Sequence, residues 1–243
     1  KKHPKLLEFW DYDKNSDLNP FAIPPKSNKK VWWKCSKGPD HEWKTSPAHI
    51  VGGTGCPFCS TPPKKVSITN CMATRNPQMA ELWDYERNYP LTPNDVLPGT
   101  FSKKYWWRCQ KGSDHVWESS PANIGSRIKT KFKGIGCPFC DHRKLSKTNR
   151  LDLNNKTLAL EWDYELNGNL TPADVTYNSD IKVWWRCQKG PDHVWKTTVG
   201  SRHHGTGCPC CDGKKLSVTN RLDILYPEIA KQWHPTKNNG KKP

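Results

Sequence analysis

The sequence predicts small α+β modules stabilised by metal, arrayed in tandem three times, each with a short helix, a β-hairpin and a Cys-Pro-x-Cys knuckle. Three observations lead there. Only 34% of the 243 residues are apolar, too few for one large core, and domains that bury little apolar surface rely on disulfides or metals. The chain carries 11 cysteines and 13 tryptophans, and both recur in phase. The recurrence has a period of roughly 70–80 residues, which makes the repeat the architectural unit.

Leu7-Glu8-Phe9-Trp10-Asp11-Tyr12 returns as Ala80-Glu81-Leu82-Trp83-Asp84-Tyr85 and as Leu160-Glu161-Trp162-Asp163-Tyr164. Val31-Trp32-Trp33-Lys34-Cys35 returns as Tyr105-Trp106-Trp107-Arg108-Cys109 and Val183-Trp184-Trp185-Arg186-Cys187. A Gly-x-Asp-His-x-Trp segment and then Gly-x-Gly-Cys-Pro-x-Cys follow in each copy. The repeats divide the chain into modules at residues 1–66, 67–144 and 145–215, with 216–243 a connector and the start of a fourth copy that stops before any ligand. The array thus either continues beyond this sequence or is trimmed.

Local chemistry assigns the elements. Pro77–Trp83 and Pro227–Trp233 predict short helices, with Pro in the first turn and Ala, Glu, Leu or Ile behind it. The β-branched and aromatic Val-Trp-Trp run predicts a strand. Lys-Gly-Pro-Asp is a turn, and His-(Val/Glu)-Trp begins the returning strand. Module two has seven extra residues before its knuckle, which read as a longer loop. Ser67–Asn70, Ser146–Asn149 and Ser217–Asn220 are a repeated connector, too regular for a floppy linker.

The ligand sets follow from phase. They are Cys35, His41, Cys56 and Cys59; Cys109, His115, Cys137 and Cys140; and Cys187, His193, Cys208 and Cys211. Three thiolates and an imidazole are a common tetrahedral shell for structural Zn²⁺, and soft thiolates favour zinc over calcium or magnesium. A lone Cys-x2-Cys is equally a redox pair or disulfide. Three copies, each with a Cys and a His at fixed upstream spacing, select metal instead, one zinc per module. The shells are full and leave no position for a catalytic water.

Cys71 and Cys210 fall outside the ligand phase, Cys210 standing where the other knuckles have Phe58 and Phe139. Both read as bystanders. His49, His142, His203, His204 and His234 do not recur and read as surface histidines. Asp40, Asp114 and Asp192 precede each ligand histidine, and two roles stay open for them: orienting the ligand or shaping the turn. Trp10, Trp33, Trp43 and their counterparts read as the core. Strand alternation puts Trp32 and Trp33 on opposite faces without saying which faces solvent.

Taken together, the Trp-x-Tyr opening, Trp-Trp-x-Cys strand, Gly-x-Asp-His-x-Trp turn and Gly-Cys-Pro-x-Cys knuckle resemble the probable zinc-ribbon family, a tandem-array family related to treble-clef zinc fingers. The resemblance spans nearly the whole chain. It implies metal-stabilised, zinc-ribbon or treble-clef-like modules with a connection to nucleic acid.

The formal net charge is +16, and the four segments carry +6, +5, +2 and +3 in chain order. Positive charge on every module suits a polyanion. The basic positions that point there are Lys29 and Lys30, echoed by Lys103 and Lys104; Lys34, Arg108 and Arg186 beside the first ligand; Lys37, Lys111 and Lys189 in the turn; and Lys129, Lys131 and Lys133 in the insertion.

The leading expectation is a non-enzymatic scaffold on structured RNA in a ribonucleoprotein such as a ribosome, with RNA preferred over DNA. A DNA-binding or targeting array of a nuclease or chromatin protein, and a protein-interaction scaffold, are the rivals. No stretch approaches the ~20 apolar residues of a membrane span, and Lys1-Lys2-His3-Pro4 is no signal peptide. A small-molecule substrate is not expected. The expected location is intracellular, with organelle, nucleus and cytoplasm undistinguished.

Overall fold

The computed structural model describes residues 4–129 and 136–243. The chain packs as two units, Lys1–Gln110 with Val116–Gly136, and Lys111–His115 with Cys137–Pro243. Within them the repeats build the same elements from the same local signals.

Module one opens with α1 (Pro4–Glu8) and a one-turn 3-10 helix at Pro20–Ala22. The hairpin β1 (Val31–Lys34) and β2 (Glu42–Thr45) and the short helix α2 (Pro47–Val51) follow. Module two adds two one-turn helices in front, α3 (Met72–Arg75) and α4 (Pro77–Ala80), then β3 (Tyr105–Arg108), β4 (Val116–Ser119) and α5 (Pro121–Lys129). Module three has α6 (Leu151–Asn154), α7 (Lys156–Ala159), β5 (Lys182–Arg186), β6 (Val194–Thr198) and α8 (Val199–His203). The chain ends with α9 (Leu222–Leu225) and α10 (Pro227–Ala230).

Each hairpin is antiparallel, and its register places the core tryptophans opposite one another: Trp33 with Trp43, Trp107 with Trp117 and Trp185 with Trp195. Trp10, Trp83 and Trp162 each form a further antiparallel bridge to the same inner residue. The rings of Trp10 and Trp33 meet edge to face at 5.6 Å, and the other two pairs at 5.5 and 5.4 Å, the favoured geometry for aromatic quadrupoles. Trp33, Trp107 and Trp185 have no solvent exposure. The second tryptophan of each Trp-Trp pair is therefore the core residue, and the first lies on the opposite, outer face of the hairpin, as pleating requires.

Two kinds of helix go beyond the sequence reading, both of them in modules two and three and the second alone in module one. The one-turn helix after the connector buries Met72 or Leu151 completely. The helix after the hairpin is a short run in modules one and three and reaches nine residues in module two. The module-two insertion is thus helical through Lys129 rather than wholly a loop, because Ile124, which α5 carries inward, is fully buried. Residues 130–135, the rest of that insertion, lie outside the described residues.

Candidate metal centres

The hairpin turn sets the first half of each centre. Cys35 leaves β1, and its N–H donates to the His41 carbonyl at 3.0 Å; Cys187 does the same to His193 at 3.0 Å. The turn glycine is required by close approach. A Cβ on Gly38, Gly112 or Gly190 would stand 2.6 Å from the ring of the ligand histidine, inside any ordinary contact. The knuckle supplies the second half. Its backbone turns back on itself, with the N–H of Ser60, Asp141 and Asp212 donating to the carbonyls of Cys56, Cys137 and Cys208 at 3.0–3.1 Å.

All twelve residues assigned from sequence converge as assigned, and the four donor atoms of each set lie within 4.8 Å of one another. The separations match a filled tetrahedron. His41 Nδ1 is 3.7 Å from Cys56 Sγ and 3.3 Å from Cys59 Sγ, and Cys35 Sγ is 3.9 Å from Cys59 Sγ. In module two His115 Nδ1 is 3.7 Å from both Cys137 and Cys140 Sγ. In module three His193 Nδ1 is 3.6 Å from Cys208 Sγ and 3.5 Å from Cys211 Sγ, with Cys187 and Cys211 Sγ at 3.8 Å. Zn–S and Zn–N bonds of about 2.3 and 2.0 Å place tetrahedral neighbours about 3.5–3.8 Å apart. The donor type, number and spacing therefore fit three Cys₃His zinc ions. The last cysteine of each set is its most accessible member.

Crowded thiols hold their protons tightly. Burial first, then the neighbouring cysteines, push Cys59 and Cys211 up to about 12. A divalent cation among these sulfurs reverses that preference, so zinc loading releases protons.

The far side of each ligand histidine is equally specified. His41 Nε2 lies 3.1 Å from Ser67 Oγ and 2.8 Å from Thr69 Oγ1. His115 meets Ser146 and Thr148 at 3.0 and 2.7 Å, and His193 meets Ser217 and Thr219 at 2.9 and 2.7 Å. With Nδ1 turned to the sulfurs, Nε2 carries the hydrogen and donates to these hydroxyls, which fixes the tautomer and the ring plane. The connector, taken from sequence as an inter-module segment, is thus the outer support of the preceding centre.

Among the described residues, no side-chain hydrogen bond joins Asp40, Asp114 or Asp192 to the ligand histidine, whose Nε2 partners are the connector hydroxyls. Each aspartate accepts the connector N–H of Ile68, Lys147 or Val218 at 2.8–2.9 Å. Asn70, Asn149 and Asn220 close the connector, accepting the N–H of the serine and donating to two carbonyls, one of them on the residue between the knuckle cysteines.

Phe58 and Phe139 stack on His41 and His115 at 4.9 Å. Cys210 takes that place in module three and is buried, while Cys211 completes the donor set. Cys71 is buried at the start of α3. His142 and His203 are less peripheral than their irregular phase implied: both rings lie 4.5 Å from the Tyr177 ring.

The basic residues divide into two groups. Lys29, Lys30, Lys37, Lys103, Lys104, Lys111 and Lys189 are exposed, and none pairs with a carboxylate among the described residues. Lys34 pairs instead with Glu42, Arg108 with Asp84 and Glu86, and Arg186 with Asp163 and Glu165. Asp84 and Asp163 are buried beneath those arginines. Lys129 ends α5, and Lys131 and Lys133 lie outside the described residues.

Another positioning residue went unread in the sequence. Asn15, Asn88 and Asn167 each clasp the outer-face tryptophan's backbone, accepting its N–H and donating to its carbonyl at 2.7–3.0 Å. Their recurrence five residues after Trp10, Trp83 and Trp162 was the available signal.

Three closed Cys₃His centres on hairpin and knuckle define a tandem zinc-finger protein. Residues 6–62, 79–143 and 158–214 match the family model of the probable treble clef zinc finger domain, and the chain belongs to that family. No curated protein matches the chain. Among the described residues, no helix is long and apolar enough to cross a membrane.

Proposed function

We propose that this chain is a non-enzymatic nucleic-acid-binding array that holds structured RNA as a scaffold component of a ribonucleoprotein such as a ribosome. The observation that carries this reading is the set of exposed lysines with no carboxylate partner among the described residues, Lys29, Lys30, Lys37, Lys103, Lys104, Lys111 and Lys189, on a chain that carries +16. Lysines not engaged by a described carboxylate are available to phosphates, and neutralising a phosphate releases counterions. The four-ligand centres support a structural rather than a catalytic metal. Among the described residues most helices are about one turn long and the longest, α5, has nine residues, which favours shape and backbone recognition of RNA over a long recognition helix in a major groove.

The test is ultraviolet crosslinking of the native protein in cells, with RNA and DNA sequenced in parallel. Enrichment of a defined RNA, above all ribosomal RNA, is the expected result. Enrichment of DNA alone would replace RNA by the targeting-array reading. Enrichment of neither would overturn the proposal and leave a protein partner for the basic surface.

A further inference from the structure

We infer that the outer-face tryptophans Trp32, Trp106 and Trp184 are stacking platforms for unpaired bases of a nucleic-acid strand, each paired with a cation placed to meet the strand's phosphate. This deepens the nucleic-acid reading and rests on it.

The fold does not ask for tryptophan at these positions. The core face is complete, since Trp33, Trp107 and Trp185 are fully buried and bridged to Trp10, Trp83 and Trp162. A β-branched residue would serve the strand as well. Yet each module places a second indole on the solvent face, half-buried in modules one and three and 38% exposed in module two. The Asn15, Asn88 or Asn167 clasp holds the backbone of that residue and no other in the strand.

The cation over the ring is kept even though its source changes. In module one Lys14, from the loop, stands 4.6 Å from the Trp32 centroid and Lys44, across the hairpin, 5.8 Å. Module two has Glu118 at the cross-strand position, and there Arg87, the loop counterpart of Lys14, lies 5.3 Å from Trp106. Module three has Leu166 at the loop position, and there the cross-strand Lys196 lies 5.7 Å from Trp184. Two positions thus exchange the charge while the ring and a positive group stay together. A bare cation–π contact is worth only about 0.5–1 kcal/mol when exposed. In modules one and two the loop cation also pairs with a carboxylate, Lys14 with Glu42 and Arg87 with Asp84, whereas Lys44 and Lys196 have no such pair among the described residues. A ring flanked by a cation, on a module of net positive charge, complements a ligand with a π face and an adjacent anion, whose phosphate would share or replace that carboxylate. An unpaired nucleotide has both, whereas an acidic peptide offers the anion without the π face.

The experiment uses the zinc-loaded chain and fluorescein-labelled CA-repeat RNA, which does not pair with itself, beside the same RNA annealed to its complement. Trp32→Val, Trp106→Val and Trp184→Val are combined, and zinc content and circular dichroism report the fold. A second variant carries Tyr at all three positions. The expected result is single-strand affinity lowered at least about tenfold in the Val variant, an unchanged dependence on salt because the cations remain, and recovery in the Tyr variant. A folded Val variant that binds like the parent chain, or a parent chain that prefers the duplex, overturns the platforms while leaving nucleic-acid binding intact. A parent chain that binds polyglutamate but no RNA or DNA, single- or double-stranded, overturns the nucleic-acid reading and the platforms with it.

Discussion

Ser67 Oγ lies 3.1 Å from Nε2 of His41, a residue in the hairpin turn of the preceding module. The hydroxyl therefore supports the first zinc centre from a segment that leads directly into the second module, where Met72 N–H donates to the Val96 carbonyl at 2.7 Å. Removing both hydroxyls, as Ser67→Ala with Thr69→Ala, leaves a buried imidazole N–H without an acceptor. Zinc affinity at module one is expected to fall about 10–100-fold. Competition with a chromophoric chelator measures it, and loss from one site of three separates this centre from the others.

Gly112→Ala directs a methyl group to 2.6 Å from the His115 ring. The ring must move, and with it a metal ligand, so the variant is expected to bind two zinc ions rather than three. Gly99→Ala is the matched control, because nothing lies within 4 Å of its Cβ. Metal counting by mass spectrometry distinguishes the pair.

Cys137→Ser removes one thiolate from the second centre, and metal loss there is coupled to local unfolding. Module two is expected to lose its hydrogen-exchange protection while module one keeps it. Because Ser146 and Thr148 bond His115, and Leu151 N–H donates to the Val175 carbonyl at 3.0 Å, fraying is expected to reach the leading edge of module three. Simultaneous loss of all three modules would show instead that the connectors fuse them into one cooperative unit.

Asp84 is 1% exposed and opposes two effects. Burial alone raises its pKa, but the Arg87 N–H, the Arg87 guanidinium and Arg108 outweigh burial and hold it below the usual carboxylate value. The native state therefore binds fewer protons than the unfolded one. The resulting stabilisation is present above the unfolded carboxylate pKa and is lost as pH falls through the lower native value. Asp84→Asn is expected to cost about 1–3 kcal/mol at neutral pH and to flatten the loss of stability below about pH 4. Urea unfolding with zinc in excess, repeated across pH, checks both.

How far the sequence carried the structure depended on what the repeat could reveal. The twelve ligands were legible because phase is blind to distance: Cys35 and Cys59 need no contact in sequence to recur together. Trp33 as core followed from composition, since the modules hold few other large apolar side chains. Which indole of each pair faces outward was not legible, because alternation fixes opposition without fixing direction. The hydroxyls of Ser67 and Thr69 were seen as a pattern but not as histidine partners, since their role depends on a contact 26–28 residues back in the chain. Asp40 was caught between two roles and fills a third, holding the connector's N–H. Arg108 and Arg186 recurred as basic positions, yet their partners Asp84 and Asp163 lie in a different recurring motif.

The most direct test of the account is the metal count of the purified chain, by native mass spectrometry before and after acid denaturation. Three zinc ions per folded chain, all released on unfolding, is the predicted result. One ion or none in a chain that remains folded would contradict an architecture built on three Cys₃His centres.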